Sequence, residues 1–368
     1  MNVVVVGGGV LGTMHAWYAV EHGFEVTQIE KDPVPEGASV RNFGLIWVSG
    51  RADGAELDAA LYSRAAWKRI GERVPDIGFR ACGSITVAFD EAEVSVLKTV
   101  ANLPSTEARG LEFLDPVQVR LSNPAIRGEV VAGLFCATDA VVEPSRLLGG
   151  LRASMEETGR YRFVPGRMAI NVGGGALTDQ MGETWVGDLL IFCPGADHSG
   201  VAASHLESAP LRRVFLHMME TAPLGFDMPT AVADADTFRY YPPFRAIARQ
   251  LLPPQGEEEA RYTMQLLMVQ RADGGLTIGD THLYDEPFDF AIEERPYQML
   301  ADKAIRVLGF PLPDIRRRWS GVYSQTVSDD LYFRRQVDGR TVVITGPGGR
   351  GNTLAPAIAG QTFEGLGL

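Results

Sequence analysis

After Asn2 the chain runs through four consecutive valines, Val3–Val6, an unbroken apolar run that predicts a strand buried on both faces. Glycines follow at positions 7, 9 and 12, and Leu11–Val20 continues as a helix. A second strand, Glu25–Ile29, completes a βαβ unit over Met1–Ile29. Leu57, Leu61, Ala65, Trp67, Ile70 and Val74 recur at helical spacing and predict a packed amphipathic helix over Leu57–Val74. Strands are expected at Ile85–Phe89, Arg162–Val172 and Asp188–Cys193, and a helix from Pro144 to about Glu157, its proline suited to the first turn. Between Met218 and Gly279 the pattern becomes extended, with strand-like segments at Phe238–Tyr241, Tyr262–Gln270 and Leu276–Gly279 around an acidic loop, Gln255–Ala260. Pro287–Leu308 reads as a long helix and Thr341–Thr345 as a last strand; Gly346–Gly351 is a glycine-rich turn opening a final apolar helix. The expected class is α/β, α+β overall, with one domain from residues 1–80, 137–215 and 325–368. Residues 81–136 and 216–324 form a second, antiparallel-sheet domain.

The first strand–turn–helix carries chemistry. Gly7, Gly9 and Gly12 form a G-x-G-x-x-G frame: one glycine for the tight turn, one for close approach to a pyrophosphate, one for helix–strand packing. The helix N-terminus then faces phosphate charge. Glu30, 18 residues after Gly12 at the end of the second strand, can accept from a ribose hydroxyl. This is a dinucleotide site of Rossmann type.

Composition narrows the partners. At 45% hydrophobic and 22% charged the chain is globular, and its net charge of −12 argues against nucleic acid or an anionic membrane as partner. Cys82, Cys136 and Cys193 are too scattered for a disulfide framework or a zinc site, so no metal is expected. No apolar run is long enough for a signal peptide or a membrane span, and a cytoplasmic location is expected.

Several motifs in order resemble the D-amino-acid-oxidase superfamily of FAD enzymes, especially glycine oxidase and monomeric sarcosine oxidase. They are GGGVLG (Gly7–Gly12), Glu30, GASVRNFG (Gly37–Gly44), VEPSRL (Val142–Leu147), CPGA (Cys193–Ala196), GGLTIGDTH (Gly274–His282), WSG (Trp319–Gly321) and GPGGRGNTLAPA (Gly346–Ala357). The resemblance implies a Rossmann-like FAD-binding domain and a discontinuous substrate domain. It assigns the pyrophosphate to Gly7, Gly9, Val10, Leu11 and Gly12, and the adenosine ribose to Glu30, with Lys31 beside it. Ala38, Ser39 and Arg41 would also face the phosphates, and Asn42, Phe43 and Gly44 would run alongside the isoalloxazine. Met168 matches the position whose backbone pairs with adenine; Pro194 and Gly195 lie in the CPGA turn. Gly346, Gly348, Gly349, Arg350, Gly351, Asn352, Thr353 and Leu354 would present N–H groups at the start of the last helix. Sarcosine oxidase links its flavin through a cysteine with no counterpart after Cys193, so FAD is expected to be non-covalent.

The departures concern substrate. The arginine that holds carboxylate after W-x-G in glycine oxidase is Tyr323 here, and a second family arginine falls on Gly349, with Arg350 next to it. Losing a bidentate guanidinium weakens the case for an ordinary amino acid. The lysine that assists oxygen in sarcosine oxidase is replaced by Thr277, which leaves oxygen or another electron acceptor open. RNFGLIW (Arg41–Trp47), RYYPPF (Arg239–Phe244) and GPGGRGNTLAP are similar to a subgroup associated with aminophosphonate breakdown. The expected reaction is hydride transfer from the carbon bearing a primary or secondary amine to flavin, then imine hydrolysis. The expected substrate is a small-molecule amine such as 2-aminoethylphosphonate or its N-methyl relative. The alternatives are a glycine, sarcosine or D-amino-acid oxidase; a 2-hydroxy-acid dehydrogenase with His282 as base; and a protein that binds FAD only for structure or partner contact. Candidate substrate contacts are Trp47, Tyr240, Tyr241, His282, Tyr323 and Arg350, with His217 and Arg245 weaker. A strand at Phe238–Tyr241 would let only one of the two tyrosines reach substrate.

Overall fold

The computed structural model describes residues 1–289 and 291–368, apart from the side chain of Pro243, which falls in the RYYPPF block. Two sheets dominate. The first has six strands in the order Phe333–Asp338, Thr341–Thr345, Leu189–Phe192, Asn2–Val6, Glu25–Ile29, Tyr161–Val164. All neighbours are parallel except the Phe333–Asp338 edge. The valine run explains its central place: Val3 and Val5 pack under the helices Val10–Glu21, Ala55–Arg73, Pro144–Glu156 and Gly351–Gly365. Val4 and Val6 face the opposite core, beneath the three-stranded sheet Ala169–Gly173, Ala176–Asp179, Thr184–Val186. A strand buried on both faces needs this continuous apolar sequence.

The second sheet has eight strands: Ile315–Thr326, Leu211–Thr221, Leu276–Gly279, Leu267–Gln270, Ala231–Asp234, Ser84–Ala88, Ala132–Cys136 and Leu111–Leu114. Only the Ala231–Asp234/Ser84–Ala88 pair is parallel. Leu211–Thr221 and Ile315–Thr326 pair along their whole length, so a seam at 215/216 and 324/325 would cut both strands. The sheets themselves divide at 210/211 and 326/327.

Several local expectations are corrected. Phe238–Tyr241 is not extended: Thr237–Tyr240 is a helical turn, and Tyr241 leaves it in extended conformation because Pro242, which opens the helix Pro242–Leu251, disfavours a helical residue before it. Only Leu267–Gln270 of Tyr262–Gln270 is a strand, and the acidic loop contains the short helix Glu257–Arg261. Arg162–Val172 splits at Pro165–Gly166 into Tyr161–Val164 and Ala169–Gly173, in different sheets. The helix expected at Pro287–Leu308 is Glu294–Leu308, and Phe290 lies outside the described residues.

Candidate active site

A single cavity of about 980 Å³ runs from the N-terminal glycine turn to the second sheet. Its cofactor end is mostly backbone. Gly7 has φ +110°, and a Cβ there would overlap the Cys193 carbonyl oxygen; a Cβ on Gly12 would overlap the Gly7 carbonyl. On Gly9 a Cβ would meet only Ser39 Oγ, at 3.0 Å, on the cavity wall. The Gly8 N–H donates to Glu30 Oε2 (2.5 Å) and the Asp32 N–H to Glu30 Oε1 (3.0 Å), so the carboxylate expected to meet the adenosine ribose also braces the glycine turn. The Val10 N–H donates to Ser39 Oγ (2.9 Å). Arg41 lines the cavity, but its guanidinium donates to the Glu36 and Ser320 carbonyls. Lys31 pairs with Asp197 at 2.7 Å. Ala38, Asn42, Phe43, Pro194 and Gly195 also line this end.

Asn42 ties the two glycine-rich turns together. Its Oδ1 accepts from the Gly44 N–H (2.6 Å) and from Asn352 Nδ2 (2.8 Å), while its own Nδ2 donates to the Ala38 carbonyl. The last helix contains Pro356, which leaves the Asn352 carbonyl without its helical partner; the Trp67 indole N–H donates to that oxygen at 2.8 Å. Gly348, Gly349, Arg350, Gly351 and Asn352 reach the cavity. Gly44, Gly346, Thr353 and Leu354 do not: Thr353 Oγ1 accepts from the Trp47 N–H, Leu354 is core, and both glycines turn the chain at positive φ. Met168 lines the cavity, but both its backbone groups are engaged by Gln180: N–H to Oε1 (2.7 Å) and C=O from N–H (2.9 Å). An adenine would have to displace the side-chain amide.

The end of the cavity at the second sheet, the candidate substrate end, is built from side chains. Trp47, Tyr240, Tyr241, His282, Tyr323 and Arg350 all line it, as does Arg245. Both tyrosines arrive because they end a helical turn, where neighbours do not alternate by 180°. The Tyr240 and Tyr323 hydroxyls are 3.3 Å apart, and the Tyr240 and His282 rings stack at 4.0 Å. His217 is not on the wall; its Nδ1 lies 2.9 Å from Thr281 Oγ1. Burial pushes the Tyr240, Tyr241 and Tyr323 hydroxyls up and holds the His282 imidazole down at about 3.

The lining residues that escaped the sequence reading include Arg51, Glu56, Asp280 and Tyr284. Arg51 is buried and lies 3.4 Å from Glu56, which also reaches Arg350 at 3.5 Å. The Val48–Asp53 loop that carries Arg51 is fixed from two sides. Asp139 accepts from the Val48 and Ser49 N–H groups, and Arg109, fully buried, donates to the Val48, Ser49 and Arg51 carbonyls. The only sequence signal was an arginine just beyond the glycine-bounded loop Gly37–Gly50. Thr277, at the lysine position of sarcosine oxidase, accepts from Arg271 Nε at 2.6 Å, so a buried cation stands beside that position after all.

A parallel sheet with a glycine turn opening its first helix, sharing one cavity with an antiparallel sheet, defines a dinucleotide-dependent enzyme. The chain matches the family described as FAD dependent oxidoreductase (DAO) over residues 2–364 and belongs to it; its cofactor is FAD. It is 25% identical over 345 residues to one of the subunits of opine oxidase from Agrobacterium tumefaciens (strain Ach5), a match covering 89% of this chain and 82% of that one. In fold it is similar to glycine oxidase from Geobacillus kaustophilus (TM-score 0.79, 19% identity, 99% of this chain and 93% of that one). It is also similar to L-alpha-glycerophosphate oxidase from Mycoplasma pneumoniae with FAD bound (TM-score 0.74, 19% identity, 100% and 94%). The residues present fit the cofactor: the cradle turn is closed to a Cβ at Gly7 and Gly12, where protein backbone fills the space, and bounded at Gly9 only by a hydroxyl on the cavity wall. Among the described residues no helix is long and apolar enough to cross a membrane, and no cluster could hold a metal ion.

Proposed function

We propose that the protein oxidises the carbon–nitrogen bond of a small amine bearing an anionic head group, with a phosphonate such as 2-aminoethylphosphonate or its N-methyl relative as the preferred head. Bound FAD supplies a two-electron acceptor, regenerated by oxygen or another acceptor. The six-stranded sheet and its helices hold the cofactor, and the eight-stranded sheet shapes the substrate end. One observation carries the reading. The two positions where glycine oxidase has arginine adjoin each other, a Cβ on Gly349 falling 3.6 Å from the Tyr323 hydroxyl, and both lack a cation; Arg51 and Arg350 sit on the same cavity wall, sharing Glu56.

Two guanidiniums against one carboxylate leave a net positive charge for a head group. A phosphonate, with up to two charges and three acceptor oxygens, can be shared between guanidiniums and tyrosine hydroxyls, whereas a flat carboxylate is best served by a single bidentate arginine. Tyr240, Tyr241 and Trp47 exclude water and orient the substrate. Water then hydrolyses the imine to an aldehyde or keto product. The neutral imidazole of His282, held near 3, is a weak base for a hydroxyl proton, which counts against the hydroxy-acid reading. The names of the opine oxidase and glycine oxidase relatives agree with an amine substrate. The test is anaerobic bleaching of the flavin by a panel of amines, amino acids and 2-hydroxy acids. Reduction by amines with anionic heads is expected; reduction by hydroxy acids alone would overturn the reading.

A further inference from the structure

Three buried carboxyl groups line the cavity: Glu30, Glu56 and Asp280. Glu30 accepts two backbone N–H groups, and Glu56 lies between Arg51 and Arg350. Asp280 differs. Among the described residues no arginine or lysine pairs with it, whereas Asp234, Asp236 and Asp139 all have partners. Asp234 and Asp236 share Lys303, and Asp139 accepts from two backbone N–H groups and two serine hydroxyls.

Its position is rigid. Asp280 follows the strand Leu276–Gly279, and its backbone exchanges both hydrogen bonds with Gln265. Oδ2 accepts from Gln265 Nε2 at 3.2 Å, and Oδ1 lies 3.5 Å from His282 Nε2. The imidazole is oriented by stacking on Tyr240 and by Nδ1, 3.4 Å from the Thr263 carbonyl. A proton on Nδ1 leaves the Nε2 lone pair facing Asp280, ready to accept from it. Burial, reinforced by the negative charge of Asp234, pushes the Asp280 carboxyl up to about 8.

We propose that Asp280 is the catalytic residue that takes the proton of the substrate ammonium, with His282 as its positioning partner. The inference rests on the amine reading above. An ammonium has no lone pair to form the new C=N bond, so it must lose a proton before oxidation. In the first step an N–H bond of R–CH2–NH3⁺ breaks and an O–H bond forms on the Asp280 carboxylate, giving R–CH2–NH2 and the neutral acid. In the second, the C–H bond breaks with its electron pair passing to bound FAD, the oxidant. The nitrogen lone pair closes the C=N bond, leaving R–CH=NH2⁺. An arriving ammonium favours the carboxylate form of Asp280, so binding itself prepares the base.

The groups facing Asp280 are His282 on its own segment, Gln265 just before the neighbouring strand, Asp234 at the end of the strand beyond it, Tyr240 and Tyr241 on the helical turn, Tyr323 on the long strand, and Tyr284. The tyrosines are pushed up and His282 down, so Asp280 is the group expected to titrate near 8. The second-order rate of anaerobic flavin reduction by 2-aminoethylphosphonate should therefore rise through a step near pH 8, well below the titration of an ordinary alkylamine at about 10. Asp280→Asn should lower that rate by about 10²–10³-fold and abolish the step. Asp280→Glu should keep part of the rate and displace the step. Two readouts lie outside turnover. FAD content and the affinity for ethylphosphonate, which has no amine, should stay as in the wild type. The raised carboxyl stabilises the fold while protonated and loses that contribution as pH climbs from about 4 through 8. The wild-type Tm should therefore fall more between about pH 6 and pH 9 than that of Asp280→Asn. A rate within about threefold of wild type and an unchanged pH step in Asp280→Asn would overturn the assignment. So would loss of FAD or ethylphosphonate binding in both variants, which would mark a structural role. Should no amine reduce the wild-type flavin at all, the functional reading falls first and this one with it.

Discussion

The two ends of the cavity are built from different materials. At the cofactor end, main chain does the work: a turn without Cβ atoms, helix N–H groups, and an asparagine tying two glycine loops together. At the substrate end, side chains from five separate segments converge: Arg51 and Glu56, Tyr240 and Tyr241, Asp280 and His282, Tyr323, Arg350. A backbone site tolerates little change in its few glycines and hardly depends on side-chain identity. A side-chain site can exchange one cation for another while the fold stays as it is. The proposed site is an instance of that freedom, with Tyr323 and Gly349 carrying no charge and Arg51 and Arg350 on the same cavity wall.

The sharpest way to break this contrast is at Gly9. Gly9→Val should leave a folded protein by circular dichroism but abolish FAD binding, since the new side chain would enter the cavity beside Ser39 rather than the core. Normal flavin absorbance in the purified variant would refute the cradle. A smaller effect is expected at the other end. Arg350→Ala, and separately Arg51→Met, should weaken substrate binding by about ten- to a hundred-fold, the loss of one charge-assisted hydrogen bond, while FAD content is unchanged. Titrating the flavin spectrum with ethylphosphonate reads this directly; equal affinities in wild type and both variants would remove the guanidiniums from the site.

The smallest effect concerns pH. Burial lowers His15 to about 4, as it does His217, and His282 to about 3. Each contributes stability that is present above 6.5 and lost as pH falls toward those values, because the unfolded chain takes up the proton first. The Tm should decline between pH 6.5 and 4, and His15→Gln, which removes one of these groups, should make the decline shallower. A variant with the wild-type slope would contradict the sign.

The same contrast explains what the sequence revealed. Glycine turns and buried strands are local, so Val3–Gly12 announced both the first strand and the cradle, and Thr341–Thr345 was placed to the residue. Where local turn chemistry overrides side-chain type, pattern misled: Phe238–Tyr241 is rich in aromatics and looks like a strand, yet Pro242 and the Thr237 hydroxyl on the Asp234 carbonyl set a helical turn. Arg51 was invisible because its place depends on Arg109 and Asp139, 58 and 88 residues away. Asp280 lies within GGLTIGDTH, where its residue type alone does not mark it out; only burial without a cationic partner sets the carboxyl apart.

In the proposed reaction Arg51 and Arg350 hold the amine by its anionic head, in a site that favours phosphonate over carboxylate. The most direct measurement compares the second-order rates of anaerobic flavin reduction by 2-aminoethylphosphonate and by β-alanine, which share the amine and the two-carbon spacing and differ in the head. The account predicts faster reduction by the phosphonate, with the margin shrinking in Arg350→Ala. Faster reduction by β-alanine, or by glycine, sarcosine or a D-amino acid than by any aminophosphonate, would contradict it.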